Sequence, residues 1–202
     1  MPLPLKEFVH QVLLENGRAP LIYQALIRAW RTTADKYPER ARWRRKSTFR
    51  GLVWEEVVRE LAEIGISDAD FQIVEHRDTA SFIMEDAVLF RVKHADLTLS
   101  TTNYPTSEAA SFDKHEVDLY GYIGLQRVEL CYVLNEFETD VIWVGISARA
   151  NGKHLWKIEL SDSGIMAEPE TLPLESAPET DPASLAKLKP IETEPQTEEK
   201  KK

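Results

Sequence analysis

The sequence VIWVGISARANGKHLWKIEL (141–160) carries the clearest structural signal in the chain. Apolar residues alternate with other residues in 141–148 and again in 154–160, and Asn151-Gly152 lies between the two runs. Asn-Gly in this position predicts a β-hairpin, because a type I′ turn needs a positive φ at both of its central residues. A sheet is therefore expected at this end of the chain.

A two-residue turn also predicts a register for the hairpin. It pairs Ser147 with Trp156 and Gly145 with Ile158, which makes one face of the hairpin apolar or small. The other face of 141–148 also carries apolar residues, so this strand is predicted to be buried on both sides, in the middle of the sheet.

The remaining periodicity predicts helices first and strands afterwards. Apolar residues recur at spacings of three and four in 5–16, in 20–37 and in a third segment that ends near Gly65. From Phe71 the spacing changes to two, which indicates strands, with one short helix near 106–115. The expected fold is α+β, with N-terminal helices packed on a mostly antiparallel, meander-like sheet.

One folded domain is expected over 1–164, with a helical part at 1–65 and a part that is mainly sheet at 71–160. Residues 165–202 contain no aromatic residue and six of the eleven prolines of the chain. Such a composition does not bury enough apolar surface to offset the entropy of ordering, so we predict a disordered, acidic tail there.

The composition favours a cytoplasmic protein. The single cysteine, Cys131, permits no disulfide within the chain, which fits a reducing compartment. The first residues do not resemble a signal peptide, and no apolar run has the length of about 18 residues that a membrane span needs. We therefore expect no contact with a membrane.

The net charge of −9 is unevenly distributed. Residues 28–50 contain nine basic and two acidic side chains, whereas 51–164 contain nine basic and 21 acidic ones. A short basic segment thus lies within an otherwise acidic molecule, and its electric field is local.

The basic segment at 40–50, within this stretch, is the first candidate site. Its predicted binding residues are Arg42, Trp43, Arg44, Arg45, Lys46 and Arg50. Guanidinium groups beside an aromatic ring suit contact with nucleic-acid phosphates and bases. The same arginines also suit an acidic protein partner, or carboxylates of this domain itself, and the sequence leaves these alternatives open.

The second candidate is a metal-dependent nuclease or hydrolase. Its residues would be Glu75, His76, Asp86 and Lys93, since carboxylates at strand ends beside a lysine are typical of such enzymes. These enzymes usually carry a carboxylate two residues before the lysine, where this chain has Arg91. The phosphate-binding loop, the dinucleotide fingerprint and the paired histidines of zinc proteases are absent from the sequence.

The sequence therefore favours a non-enzymatic regulatory or interaction module, with the hydrolase as the alternative. We expect no metal and no cofactor. The expected partner is a protein or a second copy of this chain, whose acidic face would meet the basic segment, and nucleic acid stays open as a partner.

Overall fold

The computed structural model describes residues 3–76, 79–101, 106–115 and 118–167. This part of the chain contains the helices α1 (Lys6–Leu14), α2 (Arg18–Lys36), α3 (Lys46–Ser67) and α4 (Ser107–Lys114). Short 3₁₀ helices at Glu15–Gly17 and Pro38–Arg42 precede α2 and α3. The strands are β1 (Phe71–His76), β2 (Thr79–Met84), β3 (Val88–Ala95), β4 (Gln126–Leu134), β5 (Val141–Ala150), β6 (Lys153–Ser161) and β7 (Gly164–Ile165).

The strands form one seven-stranded sheet in the order in which they occur along the chain. Neighbouring strands are antiparallel except β3 and β4, which run parallel over 88–95 and 126–133. For β4 to run parallel to β3, the chain must return to the edge of the sheet at which β3 begins. The connection that does so contains α4. The predicted α+β class and mostly antiparallel sheet are confirmed, and the parallel pair is an addition to the predicted meander.

Helices α1, α2 and α3 contribute to one hydrophobic core with the sheet. Ile22, Ala25 and Leu26 of α2 are fully buried, because their spacing places them on one side of the helix. They belong to the same core as Phe82 and Phe90, whose rings stack with their centroids 5.1 Å apart. Burying each leucine-sized side chain contributes about 1.5–3 kcal/mol.

The short helix predicted near 106–115 is present as α4. Its first turn is capped by Thr106, whose side-chain oxygen accepts a hydrogen bond of 3.1 Å from the amide of Ala109. At its other end, a carboxylate oxygen of Asp113 accepts a hydrogen bond of 2.7 Å from the amide of Gly152. This hydrogen bond links the C-terminal end of α4 to the turn between β5 and β6.

A second cluster of buried side chains lies between α4 and the sheet. Phe112 of α4 packs with Ile83 and Leu89. Charged groups are buried nearby: Arg127 is 1 % exposed and donates a hydrogen bond of 2.6 Å to the carbonyl of Ser111. The crossover connection therefore covers strand residues that are both apolar and charged.

The predicted hairpin turn is confirmed. Asn151 has a φ of 51° and Gly152 a φ of 73°, so both central residues have the left-handed conformation of a type I′ turn. Ala150 and Lys153 flank it as a pair.

The predicted register also holds for Arg149 with His154, but it is wrong from Ala148 onward, because a β-bulge lies between Ala148 and Arg149. The bulge shifts the pairing by one residue, and such a shift moves side chains to the opposite face of a strand. The structure pairs Ala148, Ser147, Ile146 and Gly145 with Trp156, Lys157, Ile158 and Glu159, respectively, in place of Ser147 with Trp156 and Gly145 with Ile158. Burial of 144–148 on both faces is confirmed, whereas Ile142 is 51 % exposed.

Two further boundaries differ from prediction. Helix α3 continues past Gly65 to Ser67, and a Cβ at Gly65 would lie 2.7 Å from the carbonyl oxygen of Phe71. Glycine here allows the helix to approach the start of β1 closely. Ile165 of β7 pairs with Leu160 of β6, so the sheet includes the first residue of the predicted tail. Residues 168–202 of that tail lie outside the described residues.

None of the helices in the described ranges combines the length and the apolar character that crossing a bilayer demands.

Arg18, at the start of α2, is fully buried within a network of ion pairs. Its Nε lies 2.6 Å from Oδ2 of Asp68, at the end of α3, and its Nη1 lies 2.7 Å from Oε1 of Glu85, in the turn between β2 and β3. Nη1 also donates a hydrogen bond of 3.1 Å to the carbonyl of Val12. A buried guanidinium is stable only when it is paired in this way, so the network joins both helices to the sheet.

We expect Asp68→Asn to lower the free energy of unfolding by about 3 kcal/mol, because it leaves part of the buried charge of Arg18 uncompensated. Denaturant titration followed by circular dichroism measures this loss. Asp70→Asn is the matched control: Asp70 is exposed, and its replacement should change the free energy by less than about 0.5 kcal/mol. Equal effects of the two substitutions would contradict this role of Asp68.

The same pair predicts a dependence of stability on pH. The hydrogen bond from Arg18 holds the pKa of the Asp68 carboxyl below its usual value, against the opposing effect of burial. Asp68 thus binds a proton less readily in the folded than in the unfolded chain, so its stabilisation is complete above about pH 4 and is lost as the pH falls through the lowered pKa. The stability difference between wild type and Asp68→Asn should shrink below about pH 4. A constant difference in urea titrations over this range would exclude the linkage.

Candidate interaction surface

The basic segment, 40–50, spans the connection between α2 and α3 and the first residues of α3. Pro38 follows the last turn of α2, because proline does not supply the amide that a continuing helix needs. After the 3₁₀ helix, Trp43 and Arg45 have extended backbone conformations, and α3 starts at Lys46. The segment therefore crosses from one helix to the next at the surface.

Two of its large side chains have structural roles. Arg40 donates a hydrogen bond of 2.9 Å to the carbonyl of Ala34, and its guanidinium lies 4.9 Å from the centre of the Phe49 ring. Trp43 is half-buried against the core and meets the ring of Tyr37 edge-on, with 5.6 Å between centroids. Trp43 is thus part of the packing between helices and does not stand out as a free stacking platform.

Two more basic residues are paired with a carboxylate of the turn between β4 and β5. Oε1 of Glu138 lies 2.6 Å from Nη2 of Arg50 and 3.3 Å from Nζ of Lys46. The Glu138 side chain is only 15 % exposed. Burial raises the pKa of the Glu138 carboxyl, but Arg50 and Lys46 outweigh burial and hold that pKa below its usual value. These pairs attach the turn to the start of α3.

The three remaining arginines are exposed. Arg42, Arg44 and Arg45 form no hydrogen bond and no ion pair with other side chains in the described part of the chain. The first turn of α3 contains no acidic residue, and no side chain caps it, so the positive end of the helix dipole adds to their charge. The structure therefore separates three outward-facing guanidinium groups from the basic residues that are used internally.

Phe137 lies in the turn that is attached to the start of α3, and it was not predicted as a site residue. It belongs to the turn NEFETD (135–140), and its side chain is 78 % exposed. Its neighbour Glu138 makes the ion pairs with Lys46 and Arg50, which connects the turn to the basic segment. A phenylalanine among polar residues between two strands is a sequence signal for exposure, but its link to the basic segment is visible only in the fold.

The turn that carries Phe137 is fixed by hydrogen bonds. The side-chain oxygen of Asn135 accepts a hydrogen bond of 2.8 Å from the amide of Thr139, and its side-chain nitrogen donates one of 2.8 Å to the hydroxyl of Thr139. The amide of Asn135 donates to the carbonyl of Asp140 at 3.0 Å. Phe137 is therefore presented from a well-defined turn.

The residues of the alternative hydrolase site do not converge. Gln72, near the start of β1, donates a hydrogen bond of 3.3 Å to Asp86, whereas Glu75 and His76 lie at the end of that strand. His76 lies four positions after Gln72 along the strand, a distance of about 13 Å. Lys93 lies on β3, on the far side of β2, about 9–10 Å from β1.

Within the described ranges, no three His, Cys, Asp or Glu side chains are grouped closely enough to hold a metal ion. Lys93 is largely buried, and burial lowers the pKa of its ammonium group, while the carboxylate of Glu129 opposes that effect. The single thiol of Cys131 is buried, and burial raises its pKa, which makes it a poor nucleophile.

The contact between the turn and α3 can be tested by Glu138→Ala. Removing this carboxylate leaves Arg50 partly buried without its partner, so we expect the free energy of unfolding to fall by about 1.5–3 kcal/mol. Glu136→Ala, in the same turn but exposed, should cost less than about 0.5 kcal/mol. Thermal and urea unfolding measure both variants, and a Glu138→Ala variant as stable as the control would show that the pairs do not hold the turn.

No protein-family model matches the chain, and no curated protein or solved structure matches it either. A function for this surface is therefore inferred from the residues that form it.

Proposed function

We propose that this chain is a non-enzymatic interaction module that binds an acidic surface of a partner protein through Arg42, Arg44 and Arg45. The observation that supports the proposal is the exposure of these three guanidinium groups, none of which has an acidic partner in the part of the chain that is described. Side chains of this kind form bidentate pairs with carboxylates, and charge complementarity accelerates association and excludes wrong partners.

A protein partner fits these residues better than nucleic acid does. The ring of Trp43 packs against Tyr37 and the core, so stacking on a base would require it to leave that packing. The chain as a whole carries a net charge of −9, which repels a long polyanion from most of its surface. A partner with a local acidic patch meets the arginines without approaching the other carboxylates.

The hydrolase remains the alternative, and the dispersal of Asp86, Lys93 and His76 argues against it. A nuclease also needs carboxylates around a metal, and the described residues contain no such group.

The test is the full-length variant Arg42→Glu/Arg44→Glu/Arg45→Glu, titrated with a fluorescent Asp/Glu-rich peptide and with a single-stranded oligonucleotide of equal charge. Like charges brought together in an interface cost several kcal/mol, so we expect the Kd for the peptide to rise about 100-fold or more. Fluorescence anisotropy at low salt measures binding, and circular dichroism melting confirms that the variant is folded.

The matched control is Lys114→Glu/Lys153→Glu/Lys157→Glu, which changes the net charge equally at exposed positions on other elements. This control should bind the peptide within about twofold of wild type, since only its long-range charge differs. Equal losses of peptide affinity in the two variants would show that net charge, and not these three arginines, determines binding, and would contradict the proposal. Tighter binding of the oligonucleotide than of the peptide would show that the partner is nucleic acid and not a protein. Salt-sensitive dimers of the wild-type chain alone would show that the partner is a second copy of this chain.

A further inference from the structure

We infer that the partner's acidic surface also carries apolar side chains, and that Phe137 contacts them while Arg42, Arg44 and Arg45 pair with the carboxylates. This inference rests on the proposed function and specifies the chemistry of the partner. An acidic segment with apolar residues interleaved, such as an amphipathic acidic helix, has the required chemistry.

The first support is the position of Phe137. Its side chain is 78 % exposed, and the next residue, Glu138, is bound to Lys46, which directly follows Arg45 in the chain. The Glu138–Lys46 pair therefore connects the turn that carries the aromatic ring to the segment that carries the exposed arginines. Interfaces are enriched in this combination, because aromatic and arginine side chains contribute most of the binding energy at hot spots.

The second support is the way the turn is held. Glu138 has a φ of 53°, a left-handed conformation that is unfavourable for a residue other than glycine, asparagine or aspartate. Its pairs with Arg50 and Lys46 hold it there, and the hydrogen bonds between Asn135 and Thr139 close the turn. The backbone that carries Phe137 is thus held by contacts of its neighbours, so the turn itself loses little conformational entropy on binding.

The third support is the contrast with the other exposed apolar side chains. Ile123 is 86 % exposed and Leu97 is 79 % exposed, but neither adjoins a residue that is paired with the basic segment. Scattered exposed apolar residues are ordinary at protein surfaces. Phe137 differs from them because the residue next to it, Glu138, is paired with Lys46 and Arg50 of the basic segment.

The experiment is a double-mutant cycle with the full-length chain and two labelled peptides. One peptide is Asp/Glu-rich with leucines at every third and fourth position, and the other has serines in place of the leucines. Wild type should bind the leucine peptide about 10-fold more tightly than the serine peptide, because burying an aromatic side chain against leucine stabilises the complex. With Phe137→Ser this preference should fall to about twofold or less, while binding of the serine peptide stays unchanged.

Ile123→Ser is the control and should keep the full preference for leucine, since Ile123 lies in another connection, before β4. A preference that persists in Phe137→Ser, or one that is absent in wild type, overturns the inference and leaves the proposed function standing. If neither peptide binds in a way that depends on Arg42, Arg44 and Arg45, the proposed function itself is overturned. Circular dichroism melting curves establish that each variant is folded before the titrations are compared.

Discussion

The buried charge of Arg18 is the constraint on which the arrangement of helices and sheet depends. Its partners Asp68 and Glu85 lie 50 and 67 residues away in the chain, so the guanidinium is paired only when α2, the end of α3 and the β2–β3 turn come together. An unpaired guanidinium at this depth is strongly disfavoured, which removes packings that would satisfy the apolar residues alone. Fixing the end of α3 against β1 also fixes the direction of that helix, and so the place where its basic first turn reaches the surface.

Much of the fold could be predicted because local sequence signals agreed with it. The Asn151-Gly152 turn needs only two residues with positive φ, and the helical stripes need only regular spacing. The register of the hairpin failed because the β-bulge beside Arg149 leaves no mark in an alternating pattern. The parallel pairing of β3 with β4 was missed for a similar reason, since alternation of apolar residues does not reveal the direction of a neighbouring strand.

The candidate surface was predictable as a composition but not as a geometry. The clustering of basic side chains in the sequence predicts a site of six residues. In the structure some of these residues pair with carboxylates that are distant in the chain, and others do not. Arg50 meets Glu138 across 88 residues, whereas Arg44 and Arg45 meet no carboxylate of the described domain. Phe137 was missed because one exposed aromatic residue has meaning only once its spatial neighbours are known. The periodicity of the sequence indicates which side chains are buried. Ion pairs between residues that are distant in the chain determine which charged side chains stay available to a partner.

The parallel junction between β3 and β4 has a consequence for the folding pathway. Each side of it is a meander whose strands contact their neighbours in sequence: β1–β3 within 71–95 and β4–β7 within 126–165. Pairing β3 with β4 closes the much longer loop between them. The conformational entropy of that loop is therefore lost before the hydrogen bonds between the two strands form. Two locally nucleated halves that join in a late, slow step are the kinetic expectation, and the transition state for complete folding should be sensitive to the length of the connection that contains α4.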